Sequence, residues 1–284
     1  MDVLPASTRT DWRPLTQAQL DSYDAEGYLH LRGVFDADEV AAGVAAVDEL
    51  IAARAGTIAW HPSFTDRDHT LRVRDAISQC PRLALFLDHP GLVGPLVSLL
   101  SASVQILGTE VFVRSCQDVA LEDWHTDGGA YLQRIRLAPG SQGLQLKAQV
   151  FLTDCTQPGS GNFKLIPGSH RRLPRETGTC YLDEDSGALD AQSVTVLAAP
   201  GDVLLFPYSL WHAVAPNRRW PRKTFIFRYG QLWHRPNDYL RQPPEVLAGM
   251  SPRLRRMFGD FGAGAHPLDF YKPQGQEAVM ATPG

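Results

Sequence analysis

His125 and Asp127 are the first residues whose types and spacing could bind a divalent metal. They lie two positions apart in the segment Trp124–Asp127. Side chains two apart on an extended segment point to the same side, so an imidazole and a carboxylate can converge on one point. In a chain with nine histidines such a pair also arises readily by chance. By itself the pair is a weak indication of a metal site.

A third possible ligand, His212, follows a predicted strand from Val203 to Phe206 and would approach the same point from a different strand. Two neutral imidazoles and one carboxylate on one face of an octahedron suit Fe(II), and they leave three positions for a bidentate keto acid and O2. Zinc hydrolases use similar ligands. The three residues therefore predict an iron site, with zinc as the alternative.

Arg222 lies just before the predicted strand Thr224–Phe227 and could serve a dicarboxylate cosubstrate. Such a molecule needs a cation at its far end. An arginine can hold a carboxylate through two parallel hydrogen bonds and stays charged in a partly dry barrel. Gln149 shares one strand face with Lys147, so it could contact the cosubstrate or lie on an outward polar face.

The elements that must position these residues are predicted to be mainly helical before residue 100. Helical patterns and capping signals occur there, including a near capping box at Asp36 and Glu39. A polar stretch, Trp60–Arg74, is predicted to be a long loop that could act as a lid. We predict helices over Leu15–Glu26, from Asp36 to Ile51, and in two parts within Pro81–Leu100, with a strand at Tyr28–Leu31.

After residue 100, short β-rich segments alternate with turn clusters such as Pro200-Gly201-Asp202. The predicted strands are Val104–Val113, Gln145–Leu152, Asn162–Ile166, Val194–Leu197, Val203–Phe206 and Thr224–Phe227. This layout predicts a mainly β protein with flanking helices and a jelly-roll, cupin-like core. We predict one domain over 1–284, with a helical face at about 15–100, a core at about 104–232 and a C-terminal extension at 233–284.

Composition narrows the possible partners. The formal net charge is -4, and 27 basic and 31 acidic residues are spread along the chain, so no basic field attracts nucleic acid. No signal-like N-terminus or long apolar run is seen, so we expect a cytoplasmic protein without a membrane partner. The four cysteines form no C-x-x-C pair and are expected to be reduced and mostly buried. A small-molecule substrate is the expected partner, and no feature indicates an oligomeric state.

Several segments, taken together in their order and spacing, closely resemble the phytanoyl-CoA dioxygenase family of Fe(II)/2-oxoglutarate oxygenases. The resemblance covers roughly residues 20 to 230. It is carried by Trp124-His125-Thr126-Asp127, by Gln149–Asp154 running through Gly161 to Pro167-Gly168-Ser169-His170, by Gly201-Asp202-Val203 with His212, and by Pro216-Asn217 with Arg222.

This resemblance implies a double-stranded β-helix in which His125, Asp127 and His212 bind iron and Arg222 binds 2-oxoglutarate. The family arginine usually lies one residue further from the distal histidine, at the position of Lys223. We interpret the difference as a one-residue deletion in the turn, because Pro221-Arg222 keeps the usual Pro-Arg pair ahead of the strand. Lys223 and Arg228 are the competing candidates.

The resemblance also implies the reaction, in which 2-oxoglutarate and O2 yield succinate and CO2 while a substrate C–H bond is oxidised. Hydroxylation of a small organic molecule, such as a secondary metabolite, is expected. Desaturation, epoxidation, ring formation and endoperoxidation use the same ligands, whereas halogenation is disfavoured because Asp127 occupies the position that a halide needs. Two other classes are a zinc or manganese cupin-like hydrolase or isomerase, which leaves Arg222 unexplained, and a non-catalytic β-sandwich binding module.

Overall fold

Two antiparallel β-sheets face each other, and helices cover the larger sheet. The computed structural model describes residues 13–53, 70–127, 132, 134–173, 186–262, 264–266 and 268. The strands are β1 (Leu29–Leu31), β2 (Thr70–Val73), β3 (Val104–Arg114), β4 (Glu122–His125), β5 (Gln145–Phe151), β6 (Phe163–Leu165), β7 (Val194–Thr195), β8 (Val203–Pro207), β9 (His212–Val214) and β10 (Arg222–Gln231).

The larger sheet has the strand order β1-β8-β5-β10-β3-β2, and the smaller sheet has the order β4-β9-β6-β7. Neighbours in both sheets are often far apart in sequence, which gives the crossed connections of a jelly roll and confirms the predicted fold class. In the centre of the larger sheet, β10 pairs with β3 on one side and with β5 on the other.

The helices lie mainly before residue 100, as predicted. The helices are α1 (Gln17–Glu26), α2 (Ala37–Ala53), α3 (Ala76–Gln79), α4 (Ala84–Leu87), α5 (Pro90–Leu100), α6 (Ser186–Ala191), α7 (Pro244–Ala248) and α8 (Pro252–Met257). The capping box before α2 is present, since Glu39 N–H donates to the Asp36 carboxylate at 3.0 Å and Asp36 N–H donates to the Glu39 carboxylate at 2.8 Å.

Alternation along the strands divides the core into two layers. Leu146, Ala148 and Val150 of β5 pack against the helices, while Phe151 packs with Phe206 between the two sheets. Each strand of the larger sheet therefore offers one apolar face to the helices and keeps its other face for the space between the sheets.

The loop predicted over Trp60–Arg74 is wrong in its last part. Thr70–Val73 is an edge strand that pairs with β3, and Leu71 and Val73 are buried. This strand has only four residues and follows a polar stretch, so its sequence pattern did not predict it. Its stability comes from pairing with β3. The rest of the predicted loop, from 60 to 69, lies outside the described residues.

Among the described residues, no single helix is long and apolar enough to span a bilayer. The segments Pro81–Leu87 and Pro90–Leu100 reach that length and composition only as a pair, and they are bent by 61° where they meet. Leu83, Phe86 and Leu96 from this pair are buried in the core between helices and sheet.

Candidate metal centre

His125 and His212 lie side by side on neighbouring strands of the smaller sheet. They are directly paired residues of β4 and β9, and their ring centroids lie 4.2 Å apart. The residue before each histidine, Trp124 or Trp211, packs on the opposite face in a cluster with Ile166. Strand alternation therefore sends the two tryptophans outward and the two imidazoles into the space between the sheets.

Asp127 completes the group just after β4. Its backbone N–H donates to the Tyr208 carbonyl at 2.9 Å, which fixes the carboxylate beside the two rings. Asp127 Oδ1 lies 3.8 Å from His125 Nε2, and Asp127 Oδ2 lies 3.4 Å from His212 Nε2. The three possible ligand atoms all lie within 4.8 Å of one another, which is close enough to share one ion.

Backbone carbonyls orient both imidazoles. His125 Nδ1 lies 2.7 Å from the Asp123 carbonyl oxygen, and His212 Nδ1 lies 2.9 Å from that of Leu210. A carbonyl only accepts, so each Nδ1 carries the hydrogen and each Nε2 keeps its lone pair for a metal. Burial and the neighbouring His125 lower the pKa of His212 to about 3, so it is neutral at pH 7.

Lys147 provides an ion pair inside the site that sequence reasoning did not identify. Its Nζ lies 2.6 Å from Asp127 Oδ2, and both side chains are largely buried. Burial raises the pKa of Asp127, but Lys147 and the two histidines outweigh that effect and hold it far below its ordinary value. Asp127 is therefore an ionised carboxylate, the form that binds metals.

Arg222 lies on the inner face of β10, in the same cavity as the three metal-binding candidates. Its side chain is 2% exposed, and Nε and Nη2 have no hydrogen-bond partner among the described residues. The guanidinium lies 5.6 Å from the centre of the Phe151 ring. Burial lowers the pKa of Arg222 to about 10, so the group stays charged at neutral pH. An anion would satisfy both its charge and its hydrogen-bond donors.

The two competing cations have other partners. Lys223 points to the helical side of β10, where its Nζ lies 2.6 Å from Asp48 Oδ1. Arg228 faces the cavity, and its Nη2 lies 2.5 Å from Glu110 Oε2. Of these three cations, Arg222 is the one without a carboxylate at ion-pair distance among the described residues.

The turn before β10 explains how Arg222 reaches this place. Asn217 is fully buried, and its side-chain amide donates to the Arg114 carbonyl at 3.2 Å and the Trp220 carbonyl at 2.7 Å. These bonds fasten the turn to β3, so β10 starts at Arg222 with that side chain facing inward. The Pro216-Asn217 motif therefore sets the position of the arginine.

Gln149 also faces the cavity, from β5 opposite Ile226. It is 2% exposed, and its Nε2 has no hydrogen-bond partner in the described part of the chain. The alternative of an outward polar face is therefore wrong, because the outer face of β5 is apolar and covered by helices. A role for Gln149 in cosubstrate binding stays a prediction.

Several other histidine, arginine and aromatic residues lie outside this group. His170 packs against Gly27. Arg171 pairs with Asp24 at 2.7 Å and Arg218 with Asp118 at 2.7 Å. Of the tryptophans, Trp124 and Trp211 are core residues and Trp233 is 58% exposed. Trp60, Phe64 and Tyr131 lie outside the described residues.

The cysteines are free where they are described. Cys80 and Cys155 are buried as expected, and Cys116 is exposed. Cys180 lies beyond the described ranges. None of the three belongs to the group of His125, Asp127 and His212.

The cavity around the triad has a volume of about 80 Å³. Phe163 stacks on the His212 ring with centroids 5.0 Å apart, and Phe206 approaches it edge-on at 5.1 Å. A larger cavity of about 280 Å³ is lined by α1 residues, Tyr208 and His170, and contains none of the triad. The metal chemistry therefore belongs to the smaller cavity, where aromatic rings limit contact with water.

These residues suit a divalent ion and a dianion together. Two oriented imidazoles and one carboxylate leave the other side of a bound ion open, which fits a catalytic rather than a closed structural site. Arg222, buried in the same cavity with free donors, fits the far carboxylate of a dicarboxylic acid. The donor set is therefore compatible with Fe(II) and 2-oxoglutarate.

Comparisons with known proteins agree with this geometry. The curated ectoine dioxygenase of Bordetella parapertussis is 26% identical, with 84% of this chain and 80% of that protein covered. The iron-bound structure of EctD from S. alaskensis is 26% identical, covers 82% of this chain and 84% of its own, and has a TM-score of 0.63.

Solved structures at lower identity share the fold. The carbocyclase SnoK from nogalamycin biosynthesis has a TM-score of 0.62 at 24% identity, covering 78% of this chain and 87% of that one. HygX from Streptomyces hygroscopicus with iron bound has a TM-score of 0.61 at 23% identity, covering 78% and 89%. The sequence model of the phytanoyl-CoA dioxygenase (PhyH) family matches residues 23–219, so the chain belongs to that family.

Proposed function

We propose that this protein is an Fe(II)- and 2-oxoglutarate-dependent dioxygenase that hydroxylates a C–H bond of a small organic substrate, releasing succinate and CO2. The observation that supports this best is that one cavity contains both the possible metal ligands and Arg222. A zinc or manganese hydrolase would use the ligands but gives the buried guanidinium no partner. A dicarboxylate cosubstrate accounts for both.

In this proposal His125, Asp127 and His212 hold the iron, and Arg222 and Gln149 bind 2-oxoglutarate. Iron with 2-oxoglutarate and O2 supplies the oxidising power for the substrate C–H bond. The backbone carbonyls of Asp123 and Leu210 keep the imidazoles in the tautomer that binds metal.

Two further features of the chain support the chemistry. Lys147 holds one oxygen of Asp127, so the carboxylate keeps one orientation. Phe163 and Phe206 pack around His212 and exclude water from its ring. Hydroxylation is favoured over halogenation because Asp127 supplies the carboxylate ligand that a halide would replace.

The substrate is proposed to be a metabolite that is tailored late in its synthesis. Relatives and structural neighbours include ectoine dioxygenases, SnoK from nogalamycin biosynthesis, and a HygX structure that holds hygromycin B. Their names and structures refer to three different small molecules: ectoine, nogalamycin and hygromycin B. They support a small-molecule metabolite as the substrate. They do not indicate which metabolite it is.

The proposed function is tested by metal-dependent turnover of 2-oxoglutarate. Metal-free protein is incubated in air with 2-oxoglutarate and Fe(II), Zn(II) or Mn(II), and succinate is quantified. We expect succinate with Fe(II) alone, and none from His212→Ala. No succinate with Fe(II) would argue for the hydrolase or the binding module, because neither of these oxidises 2-oxoglutarate.

A further inference from the structure

The cavity contains more positive charge than its iron and cosubstrate need. In the described part of the chain, five cationic side chains line it, namely Arg72, Arg114, Lys147, Arg222 and Arg228. The carboxylates that face them in the described part of the chain are Glu110, Glu122 and Asp127. Among the described residues, these five cations exceed the three carboxylates by two positive charges.

Bound cofactors would not remove this excess. The two charges of Fe(II) and the two of the 2-oxoglutarate dianion cancel each other. Arg74 and Asp238 lie beside the cluster and carry opposite charges, so they leave the balance unchanged. One unit of the excess is at Arg222, where 2-oxoglutarate is proposed to bind, and the other must lie elsewhere in the cavity.

The remaining positive charge lies near Lys147 and Arg228. These residues are direct neighbours on β5 and β10. Glu110 is shared, because Arg72 and Arg228 both pair with it and Arg74 Nε lies 3.6 Å from it. Lys147 pairs with Asp127, whose charge a bound metal would also use. With a metal bound, the described carboxylates therefore do not balance the charges of Lys147 and Arg228.

Lys147 and Arg228 lie away from Arg222, where 2-oxoglutarate is proposed to bind. Arg222 and Arg228 lie six residues apart on β10, so their backbone positions are separated by roughly 20 Å along the strand. The part of the cavity at Lys147 and Arg228 also opens toward solvent. Exposure of the side chains rises from 8% at Lys147 and 13% at Arg228 to 48% at the neighbouring Arg74. A substrate entering there would meet these cations beside the metal ligands.

We propose that the substrate carries an oxyanion, either a carboxylate or a phosphate, and that Lys147 and Arg228 hold it. This assignment rests on the proposed function, because it takes the iron and 2-oxoglutarate as already bound. Holding the anion beside Asp127 places the neighbouring carbon atoms of the substrate next to the metal. The two residues thus select the substrate and orient it.

The test measures anion binding to the loaded protein without O2. Protein with Fe(II) and 2-oxoglutarate is first checked for its visible charge-transfer band, then titrated with acetate and with sulfate by calorimetry. We expect saturable binding of at least one anion. Arg228→Met and Lys147→Met should each weaken it at least about tenfold, the loss expected for a buried charged hydrogen bond.

Lys223→Met is the matched control, because it removes a cation from the outer face of the same β10 strand. It should leave anion binding unchanged. If Lys147→Met loses the band through its contact with Asp127, Arg228→Met decides the question. A normal band with no binding of either anion overturns this inference alone, as does an equal loss in Lys223→Met. An absent band in the wild type instead overturns the proposed function.

Discussion

Arg222 and Lys223 are adjacent cations with opposite surroundings, and strand alternation separates them. Lys223 pairs with Asp48 on α2, while Arg222 is buried in the cavity. The one-residue shift relative to the family pattern therefore keeps an arginine on the inner face. The sequence could name both candidates, but the choice depends on the strand register, which Asn217 and β3 determine.

Replacing Arg222 should weaken 2-oxoglutarate binding strongly. Arg222→Met removes the charged hydrogen bonds to the far carboxylate, so we expect the KM for 2-oxoglutarate to rise at least about thirtyfold, equivalent to about 2 kcal/mol. The KM of Arg222→Lys should lie between those of the wild type and Arg222→Met, because an ammonium keeps the charge but cannot make two parallel hydrogen bonds to the carboxylate. Steady-state succinate formation at varied 2-oxoglutarate measures both.

The control for this prediction is Lys223→Met, which should keep the KM within about twofold. A KM that rises in Lys223→Met but not in Arg222→Met would mean that the turn adopts the family spacing after all. Lys223 would then be the cosubstrate cation.

The ion pair between Lys147 and Asp127 is a part of the site that could not be predicted from the sequence. Alternation places Lys147 and Gln149 on one face of β5, and this was visible from the sequence. Which face points inward depends on how β5 packs between β8 and β10 and on the helices that cover its apolar side. The ion pair with Asp127 joins two sheets, so no local pattern records it.

At the scale of the elements, the turn before β8 stabilises the contact between β1 and β8. Asp202 is 2% exposed and accepts hydrogen bonds from the backbone N–H groups of Gly33 at 2.8 Å and Ala199 at 3.0 Å. His30 Nε2 lies 2.8 Å from the same carboxylate. Asp202 therefore fastens β1 to β8, and the Gly-Asp motif of the family has a structural role here.

Asp202→Ala should lower the free energy of unfolding by about 3 kcal/mol. It leaves buried donors on Gly33 and Ala199 without an acceptor, and each costs about 1–3 kcal/mol. Thermal or urea unfolding of the metal-free protein measures the change. Asp118→Ala is the control, because Asp118 is exposed and should change stability by less than about 0.5 kcal/mol. Equal effects of the two variants would contradict the structural role of Asp202.

Strands with clear turns beside them could be predicted from the sequence, including the three-residue strands β1 and β6, whereas β2 could not. The strands predicted at Val104–Val113 and Val203–Phe206 agree with β3 and β8 within one residue. Thr70–Val73 has four residues and a polar surrounding, so it was predicted to be a loop. Its pairing with β3 is a tertiary effect, which local propensity does not contain.

At the scale of the whole molecule, ion pairs between strands make stability depend on pH. Burial raises the pKa of Glu122, but the Arg114 guanidinium outweighs it and lowers the pKa to about 2, from an ordinary value of 4.5. Arg114 Nη2 lies 2.5 Å from Glu122 Oε2. A lowered pKa in the folded state means that this stabilisation is present above pH 4.5 and is lost as the pH falls toward 2.

Glu122→Gln should therefore cost stability at neutral pH and cost little in acid. We expect a difference from wild type of about 2 kcal/mol in unfolding free energy at pH 7, shrinking between pH 4.5 and pH 2. Urea unfolding of the metal-free proteins across that range gives the comparison. A difference that stays constant with pH would show that the Glu122 charge does not contribute.

The order of motifs along the chain was enough to predict the family and the jelly roll. It predicted the metal-binding candidates because two come from one tripeptide and the third follows a strand with a clear turn before it. The charge balance of the cavity was not predictable. It depends on residues from β2, β3, β5 and β10, which come together only when the larger sheet forms.

The most direct test of the central claim is anaerobic addition of Fe(II) and 2-oxoglutarate to the metal-free protein, followed by visible absorption. A metal-to-ligand charge-transfer band forms only when the keto acid chelates a protein-bound Fe(II). We expect this band in the wild type and its loss in His125→Ala. Arg222→Met should need much more 2-oxoglutarate to reach the same intensity. A wild-type protein that shows no band under these conditions would contradict the account.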